Sequence, residues 1–142
     1  MSAREPSVGA AAAVEELLAI YDSLPRIDCQ RRCHGTCGPI VMSALEWDRI
    51  ASQHGGRTCE GDLVCPYLER ASGLCGIYDS RPLICRLGGL TEALRCEFGC
   101  VPESVLSDVE VEALVERVQA LSLGHPRTVW SGWHHYLVPP RQ

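Results

Sequence analysis

The sequence predicts a small, mainly α single domain, with helices set around a loop-rich cysteine core that binds metal. Three observations carry that prediction. Segments with apolar residues at helical spacing stand on both sides of the chain's middle. All nine cysteines fall in that middle. Residues 53–76 between the cysteines are rich in glycine and turn-forming residues. At 142 residues and 46% hydrophobic content the chain can bury a core without covalent staples, which are needed mainly below about 40 residues. Nine cysteines are more than packing requires, yet below the roughly 8–10% typical of a disulfide scaffold.

The elements follow in order. Residues 1–28 carry two Arg and five acids and form an N-terminal helical extension. Val14, Leu17, Leu18 and Tyr21 recur at helical spacing over 10–23, and Pro25 ends the pattern. Residues 29–100, with eight Arg and eight acids, form the cysteine-cluster domain. Within it Ser43 and Glu46 make a capping box for a helix over 43–53, with Leu45, Trp47 and Ile50 as its apolar positions. Residues 101–142, with three Arg and five acids, supply a C-terminal helix and an aromatic tail packed on the same domain. Ser107 and Glu110 make a second capping box, and Val111, Leu114, Val115, Val118 and Leu121 line one face of a helix over 107–123. Gly124 offers its stop, and the tail from Thr128 to Tyr136 reads as a strand or extended segment.

Several classes are excluded. No run approaches the roughly 18 apolar residues of a membrane span. The acidic N-terminus lacks the basic start and apolar stretch of a signal peptide, which predicts a cytoplasmic protein whose thiols stay reduced. A net charge of −5 argues against a nucleic-acid partner. The absence of Lys and Asn reads as genomic codon bias.

The cysteines are Cys29, Cys33, Cys37, Cys59, Cys65, Cys75, Cys85, Cys96 and Cys100. The first three are spaced C-x3-C-x3-C and the last two repeat C-x3-C, with no C-x2-C knuckle anywhere. On a straight helix Cys29 and Cys37 would stand about 12 Å apart. That is too far for one zinc with bonds of about 2.3 Å. The chain must bend if they share a site, and Gly35 and Gly38-Pro39 allow it; Gly99 does the same between Cys96 and Cys100. Four thiolates on zinc or on a cubane cluster leave net negative charge that wants donors. Arg31, Arg32, Arg81, Arg86 and Arg95 lie within a few residues of a cysteine and are candidates to hydrogen-bond the sulfurs. The competing readings are thiols as small buried hydrophobes, disulfides, and arginines as plain surface charge. His34, inside the triplet, is a further candidate ligand.

The stretches Cys65-Pro66-Tyr67-Leu68, Gly73-Leu74-Cys75-Gly76-Ile77-Tyr78 and Arg81-Pro82-Leu83-Ile84-Cys85-Arg86, with the N-terminal triplet, resemble the YkgJ-like cysteine-cluster family. That family is described as a zinc- or iron-chelating domain with a C-x2-C-x2-C-C cluster, a Glu-containing helix, and then C-P-[FY]-L, C-x-I-Y and R-P-x-x-C-R. The resemblance covers roughly residues 29–90, and the helix with Glu46 and Trp47 also looks like the family's. The first half departs: C-x2-C-x2-C-C has become C-x3-C-x3-C-G, with Gly38 in place of the last Cys. The resemblance implies Cys29, Cys33, Cys37, Cys65, Cys75 and Cys85 as metal ligands. Cys96 and Cys100 are candidates to replace what Gly38 removes, and Cys59 is the natural bystander. It implies no reaction.

The expected function is therefore a metal-binding protein, with an iron–sulfur cluster such as [4Fe–4S], or another polynuclear iron or zinc site, in a structural, redox-relay or sensing role. The alternative is structural zinc in a protein-interaction module, with residues 130–136 as a candidate surface for a protein partner. A small thiol- or metal-dependent enzyme is the third reading, resting on the Cys33–His34 pair; no phosphate loop or carboxylate pair supports it.

Overall fold

The computed structural model describes residues 8–29, 40–57, 64–96, 98–122 and 126–128. Helix α1 (Val8–Asp22) opens the chain. Its buried face is Leu17, Ile20 and Tyr21, an i, i+3, i+4 stripe. Leu18, expected on that face from spacing alone, lies on the exposed side. The Ser23 hydroxyl donates to the Ile20 carbonyl at 2.6 Å as the helix ends before Pro25.

Strand β1 (Val41–Ser43) leads directly into α2 (Ala44–His54), where Ser43 and Glu46 form the reciprocal capping box. The helix ends at Gly55, with φ +81°, a conformation that favours glycine. Next come β2 (Leu68–Glu69) and β3 (Leu74–Cys75), an antiparallel ribbon with Leu68 opposite Cys75 and Glu69 opposite Leu74. A 3₁₀ turn (Tyr78–Ser80) precedes the one-turn helix α3 (Leu83–Arg86). Helix α4 (Asp108–Ala120) starts at the Ser107–Glu110 capping box. Strand β4 (Pro126–Thr128) returns to pair antiparallel with β1, Met42 opposite Arg127.

The three long helices thus form where caps and spacing predict them. The fold is nonetheless mixed rather than mainly α: among the described residues four helices accompany two small two-stranded sheets. Strands of two or three residues are too short for an alternating pattern to register, and a one-turn helix is too short for a helical one. The expected stop at Gly124 and the tail beyond Thr128 lie outside the described residues.

Apolar side chains gather into two clusters. The first joins Leu17, Ile20 and Tyr21 of α1 to Leu83, Leu87, Leu90, Leu106 and Val118. Val111, Leu114, Val115 and Leu121 of the predicted α4 face pack against it. The second consists of Met42, Ile50, Tyr67 and Ile77. Helix α2 stands between the two, presenting Leu45 to the first and Trp47 and Ile50 to the second.

Between Leu45 and Trp47, Glu46 is buried, with 3% of its surface exposed. Its Oε2 accepts from the Tyr21 hydroxyl and from the Leu83 N–H. Its Oε1 accepts from the Ser43 N–H at 3.1 Å and the Ser43 hydroxyl at 2.9 Å. One carboxylate therefore ties α1, β1 and the start of α3 together, and its burial is offset by four donors.

Candidate metal centre

Six of the cysteines lie in the described residues, and all six are half-buried. No disulfide joins any two of them. They sit on short or irregular segments, so neighbouring turns decide where each thiol goes.

Cys65 and Cys75 border the β2–β3 ribbon. The Leu68 N–H donates to the Cys65 carbonyl at 3.1 Å, while Leu68 pairs with Cys75 across the ribbon. Both cysteines pack against the second cluster. The ribbon closes tightly at Gly76, whose N–H donates to the Tyr67 carbonyl at 2.8 Å. A β-carbon at Gly76 would stand 2.7 Å from that same oxygen, so only glycine fits without displacing backbone. Tyr67 is anchored in turn: its hydroxyl donates to the Gly55 carbonyl at 2.9 Å and accepts from the Arg57 N–H at 3.0 Å. Burial pushes its phenol up from the usual range, against the opposing pull of that Arg57 bond.

Cys29, Cys96 and Cys100 belong to a different neighbourhood. Ile27 makes an antiparallel bridge with Pro102, and one residue away the Glu103 N–H donates to the Arg26 carbonyl at 2.8 Å. In that register Cys29 and Cys100 lie at the same end of the bridge, each two residues from its paired residue. Cys96 approaches from the side. A β-carbon on Gly89 would fall 2.8 Å from Ile27 Cδ1 and 3.7 Å from the Cys96 β-carbon, and Gly89 itself has φ +84°. The missing side chain at Gly89 lets these segments close up.

Cys85 lies on α3, whose Leu83 and Leu87 enter the first cluster. Two of the expected sulfur-donating arginines lie beside it. Arg81 Nε donates to the Tyr78 carbonyl at 2.9 Å and Nη1 to the Cys85 carbonyl at 3.5 Å, and its guanidinium stands 3.9 Å from the centre of the Tyr78 ring. Arg86 donates to the Arg81 and Asp79 carbonyls at 2.7 and 2.8 Å and stacks 4.0 Å over the Tyr21 ring. These donors brace the turn that carries Cys85. Burial pulls the Arg86 guanidinium below its ordinary range.

The remaining expected residues, Cys33, Cys37, Arg31, Arg32, His34 and Cys59, lie outside the described residues, as do residues 130–136. Among the described residues no three His, Cys, Asp or Glu side chains gather into a group that could hold a metal ion. What the structure does place is Cys65 and Cys75 against the second cluster, Cys29 and Cys100 at one end of the Ile27–Pro102 bridge, and Cys96 beside Gly89. No described helix is long and apolar enough to cross a membrane.

Sequence reasoning identified Glu46 as half of a capping box and as part of a helix resembling the family's Glu-containing one, but not as a tie between distant segments. Its second oxygen, bound to Tyr21 and Leu83, works over 25 and 37 residues of separation, beyond the reach of local patterns. A cavity of about 250 Å³ lined by His54, Arg57, Tyr67, Leu68, Glu69, Gly76 and Ile77 was also not foreseen. Comparison of the chain with protein-family models, with curated proteins and with solved structures finds no match.

Proposed function

We propose that this is a metal-binding cysteine-cluster protein in which thiolate–metal bonds stabilise the middle of the chain. The observation that carries the proposal is the setting of the six described thiols: half-buried, on turns, a two-residue strand and a one-turn helix. Such segments have little regular structure to hold them, and metal binding free energy is folding free energy at sites of this kind. The donor set fits zinc or an iron–sulfur cluster, since both take thiolates. The half-buried positions leave nearby turn N–H groups able to reach the sulfurs. The resemblance of residues 65–86 to the zinc- or iron-chelating cysteine-cluster family supports the same reading.

Two occupants are consistent with this chemistry. A [4Fe–4S] cluster would give a redox-relay or sensing role, and zinc a structural one. Anaerobic purification followed by metal and acid-labile sulfide analysis, with an absorption spectrum, decides between them. Brown protein with sulfide identifies the cluster; colourless protein with zinc and no sulfide identifies zinc. Cys75→Ser and Cys85→Ser are each expected to lower metal content and thermal stability together. Unchanged metal and stability in both variants would overturn the proposal.

A further inference from the structure

We propose that the cavity between the end of α2 and the β2–β3 ribbon binds a small zwitterion, an α-amino acid with an apolar side chain. No cysteine lines this cavity. At about 250 Å³ it is smaller than the roughly 300–1,000 Å³ of sites for drug-sized ligands, so it suits a small molecule. Printed bonds hold its walls together. The Tyr67 hydroxyl donates to the Gly55 carbonyl at 2.9 Å and accepts from the Arg57 N–H at 3.0 Å, which fastens the end of α2 to the ribbon. The Gly76 N–H donates to the Tyr67 carbonyl at 2.8 Å on the far side. Buried Tyr67 and Ile77, with half-buried Leu68, supply an apolar surface.

The charges on the lining are of opposite sign. Arg57 borders the cavity from the α2 side and Glu69 from the ribbon, and both are exposed. They form no ion pair with each other or with any other described residue. Arg57 therefore has donors for a guest carboxylate, and Glu69 has acceptors for a guest ammonium. A guest carrying only one of these charges meets a like charge on the lining without compensation. His54 adds an acceptor. Ser80, 8% exposed, gives its one hydroxyl proton to Gln53 Oε1 at 2.7 Å. Its oxygen then accepts from His54 Nε2–H at 3.1 Å. That arrangement places the proton of the neutral ring on Nε2 and leaves Nδ1 to accept a hydrogen from an ammonium. The apolar surface is left for the guest's side chain.

The test titrates L-leucine into the isotope-labelled full chain, as purified, and follows the amide NMR spectrum. Saturable shifts are expected around residues 54–57, 67–69 and 76–77. Isocaproate is leucine without its ammonium, and isoamylamine is leucine without its carboxylate. Each should bind about tenfold more weakly than leucine. Arg57→Gln and Glu69→Gln should each weaken leucine binding by about tenfold as well. Both side chains are exposed, so the variants should keep the spectrum of the folded protein. No saturable shift with leucine, shifts confined to other residues, equal binding of the three compounds, or unchanged affinity in both variants overturns the zwitterion site. None of these outcomes changes the metal content on which the metal-binding proposal is judged.

Discussion

The two apolar clusters are built on different terms. The first draws on α1, α3, α4 and the segment around Leu90 and Leu106, and it is almost wholly aliphatic. The second has four buried members, and Cys65, Cys75 and Trp47 pack around its edge. Large aliphatic burial at about 25 cal/mol per Å² can sustain the first by itself. The second is too small for that and leans on directed bonds: the Tyr67 hydroxyl, the Gly76 N–H and, on the reading above, metal–thiolate bonds. One molecule thus pairs a conventional hydrocarbon core with a smaller one that depends on ligation and hydrogen bonds.

The contrast can be broken most forcefully in the first cluster. Leu87 is fully buried, so Leu87→Ala is expected to destabilise by about 2–5 kcal/mol in urea unfolding. Most of the loss should persist with chelator present, because the cluster is filled by hydrocarbon contacts rather than by ligation. A loss seen only in the absence of chelator would erase the distinction between the two cores.

The next effect falls on the joint between the cores. Glu46→Gln turns one acceptor into a donor that faces either the Tyr21 hydroxyl and Leu83 N–H or the Ser43 pair. Stability should fall by about 1–3 kcal/mol, measured by the same unfolding curves.

A smaller, pH-dependent effect follows from Tyr21. Burial, then the neighbouring Glu46 charge and hydrogen bond, push its phenol well above its ordinary value of 10.0. The folded state keeps a proton that the unfolded chain releases. The contribution is therefore complete below about pH 10 and declines as pH rises beyond it, by up to about 1.4 kcal/mol per pH unit. Tyr21→Phe should flatten that alkaline slope; an unchanged slope would mean the phenol ionises in the folded protein.

The smallest expected effect is at Ser107, an exposed cap on α4. Ser107→Ala should lose about 1 kcal/mol. Ser43→Ala should lose more, because Ser43 caps α2 and also supplies a donor to buried Glu46. Equal losses would show that the burial of the Ser43–Glu46 pair adds nothing to its cap.

What the sequence disclosed divides along the same line. Helix α4 was legible because its cap, its five apolar positions and its burial all agree. Helix α2 was legible for the same reason, and α1 from its apolar spacing and Pro25, except for the side on which Leu18 falls. The β1–β4 and β2–β3 pairs were not, since each rests on a few backbone bonds between segments with no periodic signal. The cysteines were conspicuous as a count and a spacing, but where each one falls depends on the β2–β3 ribbon, on Gly89 and on the Ile27–Pro102 bridge. Those are contacts between distant segments, and a single sequence does not encode them locally. Arg81 and Arg86 show the same limit: proximity to Cys85 in sequence was apparent, but not that their donors would reach carbonyls.

The way the chain crosses itself has a consequence for its covalent integrity. The exposed stretch at 55–57 separates α2 from the β2–β3 ribbon. Yet α1 packs with α4, β1 pairs with β4, Glu46 holds Leu83, and Ile27 bridges to Pro102. Every one of these contacts joins a residue before that stretch to one after it, so neither half contains a complete cluster. A protease that cuts once there should leave two fragments that migrate as one species on a native gel and separate only in denaturant. The backbone at that point is a tether, and the molecule's unity resides in the interlocking of its halves.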